Sequence, residues 1–329
     1  MWLLSTDRAE LHYFHHPENV PGGYAILSHV WEGQEQTFEE TQELRTACAA
    51  TAHIPRDRAS PKVRASCTTA ERLGFRWIWN DTCCINKQSS SELSEAINSM
   101  FNYYSLAKVC CAYLCDVSSA SREALNSADS EFRRSKWHKR GWTLQELIAP
   151  TFLVFLSKDW IGLGTKMDLA PLLEEITRVP VAVLQMRQTP SELSISHRMS
   201  WACDRETTRV EDMAYCLMGI FSINMPPLYG EGSRAFLRLQ EEIMRRSYDT
   251  SLFVWEDPDA LLGYGEDKYR FREAFPDINP DPHTCYRYHG SSRFFLLATS
   301  PKAFILSSDV YCCPAKSADA VRSTSLFPA

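Results

Sequence analysis

The sequence contains four short apolar runs that alternate with amphipathic, helix-forming stretches. The runs cover residues 24–28, 75–80, 109–115 and 152–156. Such continuous apolar runs are typical of strands that are covered on both faces. Between the second and third runs, apolar residues recur with a helical period over residues 93–104. Strands alternating with helices predict βαβ units, and therefore an α/β fold with a parallel sheet flanked by helices.

Polar and charged side chains occur where these runs end. Ser28 is the last residue of the first run, His29 and Trp31 follow it, and Asp81 follows the second run. In a parallel sheet, ligands bind outside the carboxyl ends of the strands. The sequence therefore predicts one cleft, formed by these side chains together with residues 137–150.

The stretch over residues 137–150, WHKRGWTLQELIAP, contributes the candidate catalytic residue. Trp142 and Glu146 are four residues apart, so a helix places them on one face. Arg140 is a candidate for bidentate binding of a phosphate group. Each residue also has a structural alternative. Glu146 can pair with Arg140 or Lys139 or cap a helix, Trp142 can be a core residue, and Arg140 can form a structural salt bridge.

Alternatives also exist for the side chains at the strand ends. Asp81 can bind ribose or orient a donor, and it can equally form an Asx turn or an N-cap. Ser28 and His29 are expected to line the cleft, although a lone histidine is more often structural. A thiol nucleophile formed by Cys83 or Cys84 with His29 is a third hypothesis. Adjacent cysteines between apolar residues are usually packed rather than reactive, which ranks this hypothesis low.

Composition excludes several classes of protein. The net charge of −6 and the pI near 5.9 argue against nucleic acid as a partner. The apolar run at residues 109–115 is too short to span a membrane, and the N-terminus does not resemble a signal peptide. We therefore expect a cytoplasmic protein whose cysteines are mainly buried free thiols. The cysteine spacing predicts no metal site.

After about residue 160 the sequence becomes helical in character. Residues 208–211, Thr-Arg-Val-Glu, predict a capping box that opens a helix with its inner face over residues 213–221. A later helix is predicted to bury Phe236, Leu239 and Ile243. We predict three parts: an α/β core over residues 1–165, a helical extension packed on it over residues 166–255, and an irregular C-terminal segment over residues 256–329.

The sequence resembles fungal heterokaryon-incompatibility (HET) domain proteins. Four blocks carry the resemblance in the family's order, over roughly residues 1–255: YAILSHVWEG, WIWNDTCCINKQSSSELSEAINSMFNYY, SKWHKRGWTLQELIAP and RMSWACDRETTRVEDMAYCLMGIFSINMPPLYGEGSRAFLRLQEEI. Asn86 stands where the family usually has Asp, and Asn80 stands where an apolar residue is common. The resemblance implies an intracellular role in non-self recognition and programmed cell death. Its implied partners are further copies of the chain or other incompatibility proteins.

HET domains are in turn similar to TIR domains, which share the flavodoxin-like α/β plan. Some TIR domains cleave NAD with a glutamate in a Trp-Cys-x-x-Glu context, and RGWTLQEL places Trp142 and Glu146 at the matching positions. The resemblance implies that NAD is a substrate rather than a cofactor and that Glu146 is catalytic. The substrate-binding candidates are then Ser28, His29, Trp31, Asp81, Arg140 and Trp142. The alternative is a non-enzymatic module that triggers cell death by self-association or partner binding.

Overall fold

The computed structural model describes residues 1–49, 51, 53–118, 121–255 and 297–305. Its central feature is a seven-stranded sheet in the order β2-β1-β4-β3-β5-β6-β7. The strands are β1 (Trp2–Ser5), β2 (Leu11–Tyr13), β3 (Ala25–His29), β4 (Trp77–Trp79), β5 (Val109–Tyr113), β6 (Leu153–Leu156) and β7 (Gly162–Thr165).

Helices cover the sheet, and further helices follow it in the described part of the chain. Those before β6 are α1 (Phe38–Cys48), α2 (Pro55–Arg58), α3 (Pro61–Arg72), α4 (Asp81–Cys84), α5 (Ser90–Leu106), α6 (Arg122–Asn126), α7 (Glu131–Arg134) and α8 (Thr143–Ile148). Those after β7 are α9 (Ala170–Thr177), α10 (Val181–Leu184), α11 (Ile195–Ser200), α12 (Asp212–Tyr215) and α13 (Arg234–Arg246).

The predicted α/β fold is confirmed, and the sheet is mixed rather than wholly parallel. Strands β4, β3, β5 and β6 pair in parallel, whereas β1, β2 and β7 pair antiparallel at the two sides. Short connections explain the antiparallel pairs β1–β2 and β6–β7, because a parallel crossover needs a dozen or more residues. Only residues 6–10 join β1 to β2, and only residues 157–161 join β6 to β7.

The sheet centre is buried on both faces, as the apolar runs predict. Every residue of β3 is buried, and so are the first four residues of β5. Parallel strands covered on both faces bury nearly all of their side chains. Helix α13 buries Phe236, Leu239 and Ile243, as predicted from its periodicity. Every cysteine in the described part of the chain is a free thiol, and all but Cys115 are buried.

The capping box predicted at residues 208–211 is wrong. The Thr208 hydroxyl accepts a hydrogen bond from the Arg140 guanidinium at 2.9 Å. The Glu211 carboxylate accepts from the backbone N–H groups of Gly230 at 2.8 Å and Gly232 at 3.1 Å. Both side chains are therefore engaged by other segments, and α12 begins only at Asp212.

The predicted boundaries of the three parts stay a prediction. Most of the segment over residues 256–329 lies outside the described residues. The described piece at residues 297–305 packs on α13 through Gln240, whose amide donates to the Ala298 carbonyl oxygen at 2.8 Å and accepts from its N–H at 3.0 Å. None of the helices described is long and apolar enough to cross a membrane.

Candidate functional site

The candidate site lies where the strand order reverses. Strand β3 is followed in the chain by β4 on one side and is paired with β5 on the other. Connections therefore leave the carboxyl ends of β3 and β5 in opposite directions, and doubly wound sheets bind their ligands at such a point. Ser28 and His29 end β3 beside Ala112 and Tyr113 of β5. The predicted location of the cleft thus coincides with this topological switch point.

Glu146 is anchored at this point by a chain of hydrogen bonds. The Ser28 hydroxyl donates to Glu146 Oε2 at 2.5 Å, and the indole Nε1 of Trp137 donates to Ser28 Oγ at 2.8 Å. Ser28 and Trp137 are buried, and Glu146 is 7% exposed. The short helix α8 brings the carboxyl to the strand end because all six of its residues are buried. We call Ser28, Tyr104, Trp137 and Glu146 the carboxyl network.

Tyr104 of α5 packs beside the same carboxyl. Its hydroxyl donates to the Leu27 carbonyl oxygen at 3.0 Å. Burial and the neighbouring Glu146 charge raise the pKa of this hydroxyl, so Tyr104 keeps its proton. Tyr104 in turn lowers the pKa of Glu146, an effect smaller than that of burial.

Electrostatics favour the protonated form of Glu146. Burial is the largest effect on its pKa, and burial together with the negative charge of Asp81 raises this pKa to about 8, although the hydrogen bond from Ser28 and the nearby Tyr104 and Arg140 lower it. Desolvation disfavours the ionised form of a carboxyl, which accounts for the direction of this shift. Glu146 has no ion-pair partner within 4.0 Å among the described residues, so the predicted pairing with Arg140 or Lys139 is wrong.

Asp81 is the centre of a second group of side chains at the same edge. Its carboxylate binds His29 Nε2 at 2.9 Å and accepts from Trp31 Nε1 at 2.8 Å. The Lys87 ammonium lies 3.8 Å from the centroid of the Trp31 ring. Burial alone would raise the pKa of Asp81, but His29, Lys87 and Trp31 hold it below its ordinary value. One ionised and one protonated carboxyl therefore stand at the same edge of the sheet.

Asp81 does not cap the helix that follows it. Asn80 is the N-cap of α4, and its side-chain oxygen accepts from the Thr82 N–H at 3.2 Å. This leaves both oxygens of Asp81 for His29 and Trp31. The N-cap alternative for Asp81 is therefore wrong.

Arg140 and Trp142 are engaged by the helical extension. Arg140 donates to Thr208 at 2.9 Å. Burial raises the pKa of Asp212, and the neighbouring Trp142 opposes this rise. Trp142 is also partly buried against the core, which agrees with its structural alternative. The structure thus gathers Ser28, His29, Trp31, Asp81 and Glu146 at one edge, whereas Arg140 and Trp142 link that edge to the extension.

A thiol nucleophile is not available in this cleft. The Cys83 thiol donates to the Gln36 carbonyl oxygen at 3.3 Å, and burial raises its pKa to about 11. His29 directs Nε2 to Asp81, and its Nδ1 has no hydrogen-bond partner among the described residues. Neither Cys83 nor Cys84 is therefore activated by His29, and the thiol hypothesis is wrong.

Three residues of this region were not singled out from the sequence. Trp137 and Tyr104 complete the carboxyl network. Arg205 is buried and donates to the Arg140 carbonyl oxygen at 2.7 Å and to the Thr143 hydroxyl at 2.9 Å, which fixes the turn before α8. Burial lowers the pKa of Arg205 to about 10. The helical period over α5 predicts that Tyr104 is buried, but no local pattern predicts its partner.

Two cavities of the described surface lie away from Glu146. One of about 570 Å³ is bounded by α1 and the loop before it, with Gln34, Glu43 and Ser60 in its lining. The other, of about 360 Å³, lies between β1, β4 and α5. Glu146 lines neither of them.

The fold and the site define a doubly wound α/β domain with carboxyl groups at its switch point. Residues 24–129 match the family "Heterokaryon incompatibility protein (HET)", and residues 234–328 match a domain of unknown function, DUF8212. The chain is a heterokaryon-incompatibility (HET) domain protein. It is similar to "Vegetative incompatibility protein HET-E-1" of Podospora anserina, with 40% identity over 236 residues. That alignment covers 69% of this chain and 17% of the relative. No solved structure matches the chain.

Proposed function

We propose that this protein acts in the cytoplasm in incompatibility-type cell death, and that its HET domain cleaves the nicotinamide–ribose bond of NAD. The family and the name of the similar Podospora anserina protein support the cellular role. The observation that carries the chemistry is the carboxyl of Glu146, held by Ser28 at 2.5 Å at the switch point, with its pKa raised to about 8. Strongly shifted pKa values concentrate at functional sites.

The reaction suits a single carboxyl group. The nicotinamide of NAD is a cationic pyridinium, so it leaves as a neutral molecule and needs no general acid, unlike the oxygen of an ordinary glycoside. The C1′–N bond breaks with its electron pair going to nicotinamide, and a water oxygen bonds C1′ and loses a proton. A carboxylate beside the ribose holds its hydroxyls and stabilises the oxocarbenium charge that develops.

The raised pKa of Glu146 fits this role if the substrate itself supplies a positive charge. A cation within a few ångströms favours the ionised form of a carboxyl. The positive charge of the bound pyridinium would therefore lower the pKa of Glu146, so that its proton is released to water and the carboxylate faces the cationic ring. Ser28 and Trp137 fix the direction of the carboxylate. Trp31, which is 46% exposed, offers a ring for stacking at the same edge.

A non-enzymatic function is the second candidate, and a specific observation favours it. Strand β7 is an outer strand of the described sheet, and Phe152, Ile161 and Met167 around it are each at least 50% exposed. An outer strand flanked by exposed apolar side chains is a template for pairing with another chain. Self-association through β7 would then trigger the response, and the carboxyl network would serve to hold α8 on the sheet.

The direct test is to incubate the purified chain with NAD, at a protein concentration high enough for assembly, and to measure nicotinamide release. We expect release by the wild type and its loss in Glu146→Gln, which keeps the size of the side chain. Glu241→Gln, on the exposed side of α13, is the matched control and should release nicotinamide at the wild-type rate. Full release by Glu146→Gln would remove Glu146 from the mechanism. No release by an assembled wild type would favour the interaction module.

A further inference from the structure

We propose that the cavity between β1, β4 and α5 binds a small organic cation through a quaternary or alkylated ammonium group. The side chains that carry this inference are Trp2, Tyr13, Trp79, Tyr103, Glu92 and Glu95, which all line the cavity. Aromatic faces attract cations through their quadrupole, and such rings together with carboxylates are suited to ammonium ligands that cannot donate hydrogen bonds. The site is separate from the carboxyl network and does not depend on NAD cleavage.

The aromatic walls of this cavity meet at steep angles. The Trp2 and Tyr13 rings are 5.1 Å apart between centroids and inclined by 63°. The Trp79 and Tyr103 rings are 5.9 Å apart and inclined by 58°. Trp79 and Tyr103 are buried, whereas Tyr13 is half exposed. The lining therefore combines two buried rings with one that is accessible to solvent. A tetrahedral ammonium with its methyl groups can contact several such faces at once.

The charge of the cavity is supplied by α5. Ser89 caps this helix by accepting from the Glu92 N–H at 3.3 Å, which is the first half of a capping box. The Glu92 side chain does not complete the box. Its Oε2 accepts instead from Trp2 Nε1 at 3.2 Å, which ties the carboxylate to the aromatic wall. Glu95, one turn further along, is exposed and lines the same cavity.

The amino group of Met1 is the competing cation in this lining. It donates to the Phe14 carbonyl oxygen at 3.0 Å, and burial lowers its pKa, against the raising effects of Glu95 and Glu92. At most one positive charge therefore faces two carboxylates. The cavity retains a negative balance that attracts a cation and repels the phosphate groups of a nucleotide.

The size of the cavity also selects a small ligand. Its volume of about 360 Å³ lies near the lower end of the range of roughly 300–1,000 Å³ that is typical of small-molecule sites. The ammonium can come from a free small molecule or from a methylated lysine of another protein. Choline and a short trimethyllysine peptide present the same headgroup and serve as the two probes.

The test is calorimetric titration of the full chain with choline and, separately, with its neutral isostere 3,3-dimethylbutan-1-ol. We expect choline to bind and the isostere not to bind. Glu92→Gln and Glu95→Gln should each weaken choline binding roughly three- to tenfold, as expected for the loss of one partly solvated charge. Glu241→Gln changes the net charge equally, lies outside the cavity lining, and should leave the affinity unchanged.

The other outcomes decide against the proposal or identify the source of the ammonium. Equal binding of choline and the isostere would show an apolar cavity without cation recognition and would overturn the inference. No binding of choline or peptide would overturn it as well. Tighter binding of the trimethyllysine peptide than of choline would support the inference with a protein as the source, whereas equal affinities would support it with a free cation. Nicotinamide release by the same preparation reports on the Glu146 proposal independently.

Discussion

At the scale of single residues, the proton on Glu146 decides how the site behaves. The Ser28 hydroxyl donates to the Glu146 carboxyl, and no cation pairs with that carboxyl among the described residues. Burial without a paired cation disfavours the ionised form, which raises the pKa of Glu146 to about 8.

This shift predicts a specific dependence of stability on pH. The pKa of Glu146 rises from an ordinary 4.5 to about 8 on folding, so the folded state holds the proton between these values and the unfolded state does not. The free energy of unfolding therefore falls as pH rises through that window, by an amount on the order of a few kcal/mol. Glu146→Gln removes this contribution. We expect chemical denaturation to show the variant more stable than wild type at pH 9, with little difference at pH 5.

The matched comparison for this prediction is Glu241→Gln, which should follow the wild type at both values of pH. The same pH dependence in wild type and Glu146→Gln would mean that Glu146 is ionised in the folded protein at neutral pH. The proton assignment in the carboxyl network would then be wrong.

Ser28 is the second residue at which the network can be tested. Ser28→Ala removes the acceptor of the buried Trp137 N–H and the donor to Glu146. An unsatisfied buried donor costs about 1–3 kcal/mol, and we expect a loss of that size in urea unfolding. Ser66→Ala is the control, because the buried Ser66 hydroxyl donates only to the Val63 carbonyl oxygen of its own helix. Equal losses in the two variants would contradict a special role for Ser28.

At the scale of elements, the apolar runs predict the central strands of the sheet. They do not predict the outer strands. Strands β3, β4, β5 and β6 lie within or over the four predicted runs. Strand β7 has the sequence Gly-Leu-Gly-Thr, which carries no strand pattern. It forms because a connection as short as residues 157–161 returns the chain beside β6.

The sequence likewise predicts part of the candidate site, namely the residues at strand ends, but not their packing partners. Strand ends place Ser28, His29 and Asp81 at one edge, since carboxyl ends of parallel strands meet there. Glu146 reaches this edge from helix α8. Partners supplied by packing, such as Tyr104 from α5, follow from tertiary contacts that no spacing encodes. The capping box at residues 208–211 failed for the same reason, because Thr208 and Glu211 have partners far along the chain.

The packing of the extension on the core can be tested at Gly219. A Cβ at this position would collide with the Phe101 side chain of α5, so the segment after α12 approaches α5 closely. Overpacking of this kind costs about 1–3 kcal/mol. We therefore expect Gly219→Ala to lower the free energy of unfolding by that amount. Gly162→Ala in β7 is the control, since a Cβ there meets no atom within 4 Å. Equal stability of both variants would mean that the extension does not rest on α5.

At the scale of the whole molecule, the outer strand β7 is the surface that we propose for association between copies of the chain. Ile161 is 52% exposed and Met167 is 56% exposed. Charged side chains protect outer strands against pairing. We expect the double variant Ile161→Lys, Met167→Lys to shift sedimentation toward the monomer at a protein concentration where the wild type associates. Val210→Lys, at a 61% exposed site on the extension, should leave association unchanged. Association of the double variant at the wild-type level would exclude β7 as the contact.

Catalysis and assembly need not exclude each other in this chain. Helix α8 holds the carboxyl network, and the chain continues directly from it into β6, the partner of β7. A contact made at β7 is therefore separated from α8, which supplies Glu146, by strand β6 alone. Nicotinamide release tests the catalytic proposal, and sedimentation tests the assembly proposal.

The rate of nicotinamide release from NAD between pH 6 and pH 9 is the measurement that tests this account most directly. If the ionised Glu146 carboxylate performs the reaction, the rate at subsaturating NAD should rise with pH and level off above the pKa of about 8. The rate should be absent at every pH in Glu146→Gln. Release that is independent of pH, or that persists in Glu146→Gln, would contradict the role of this carboxyl. No release at any pH would contradict NAD cleavage itself.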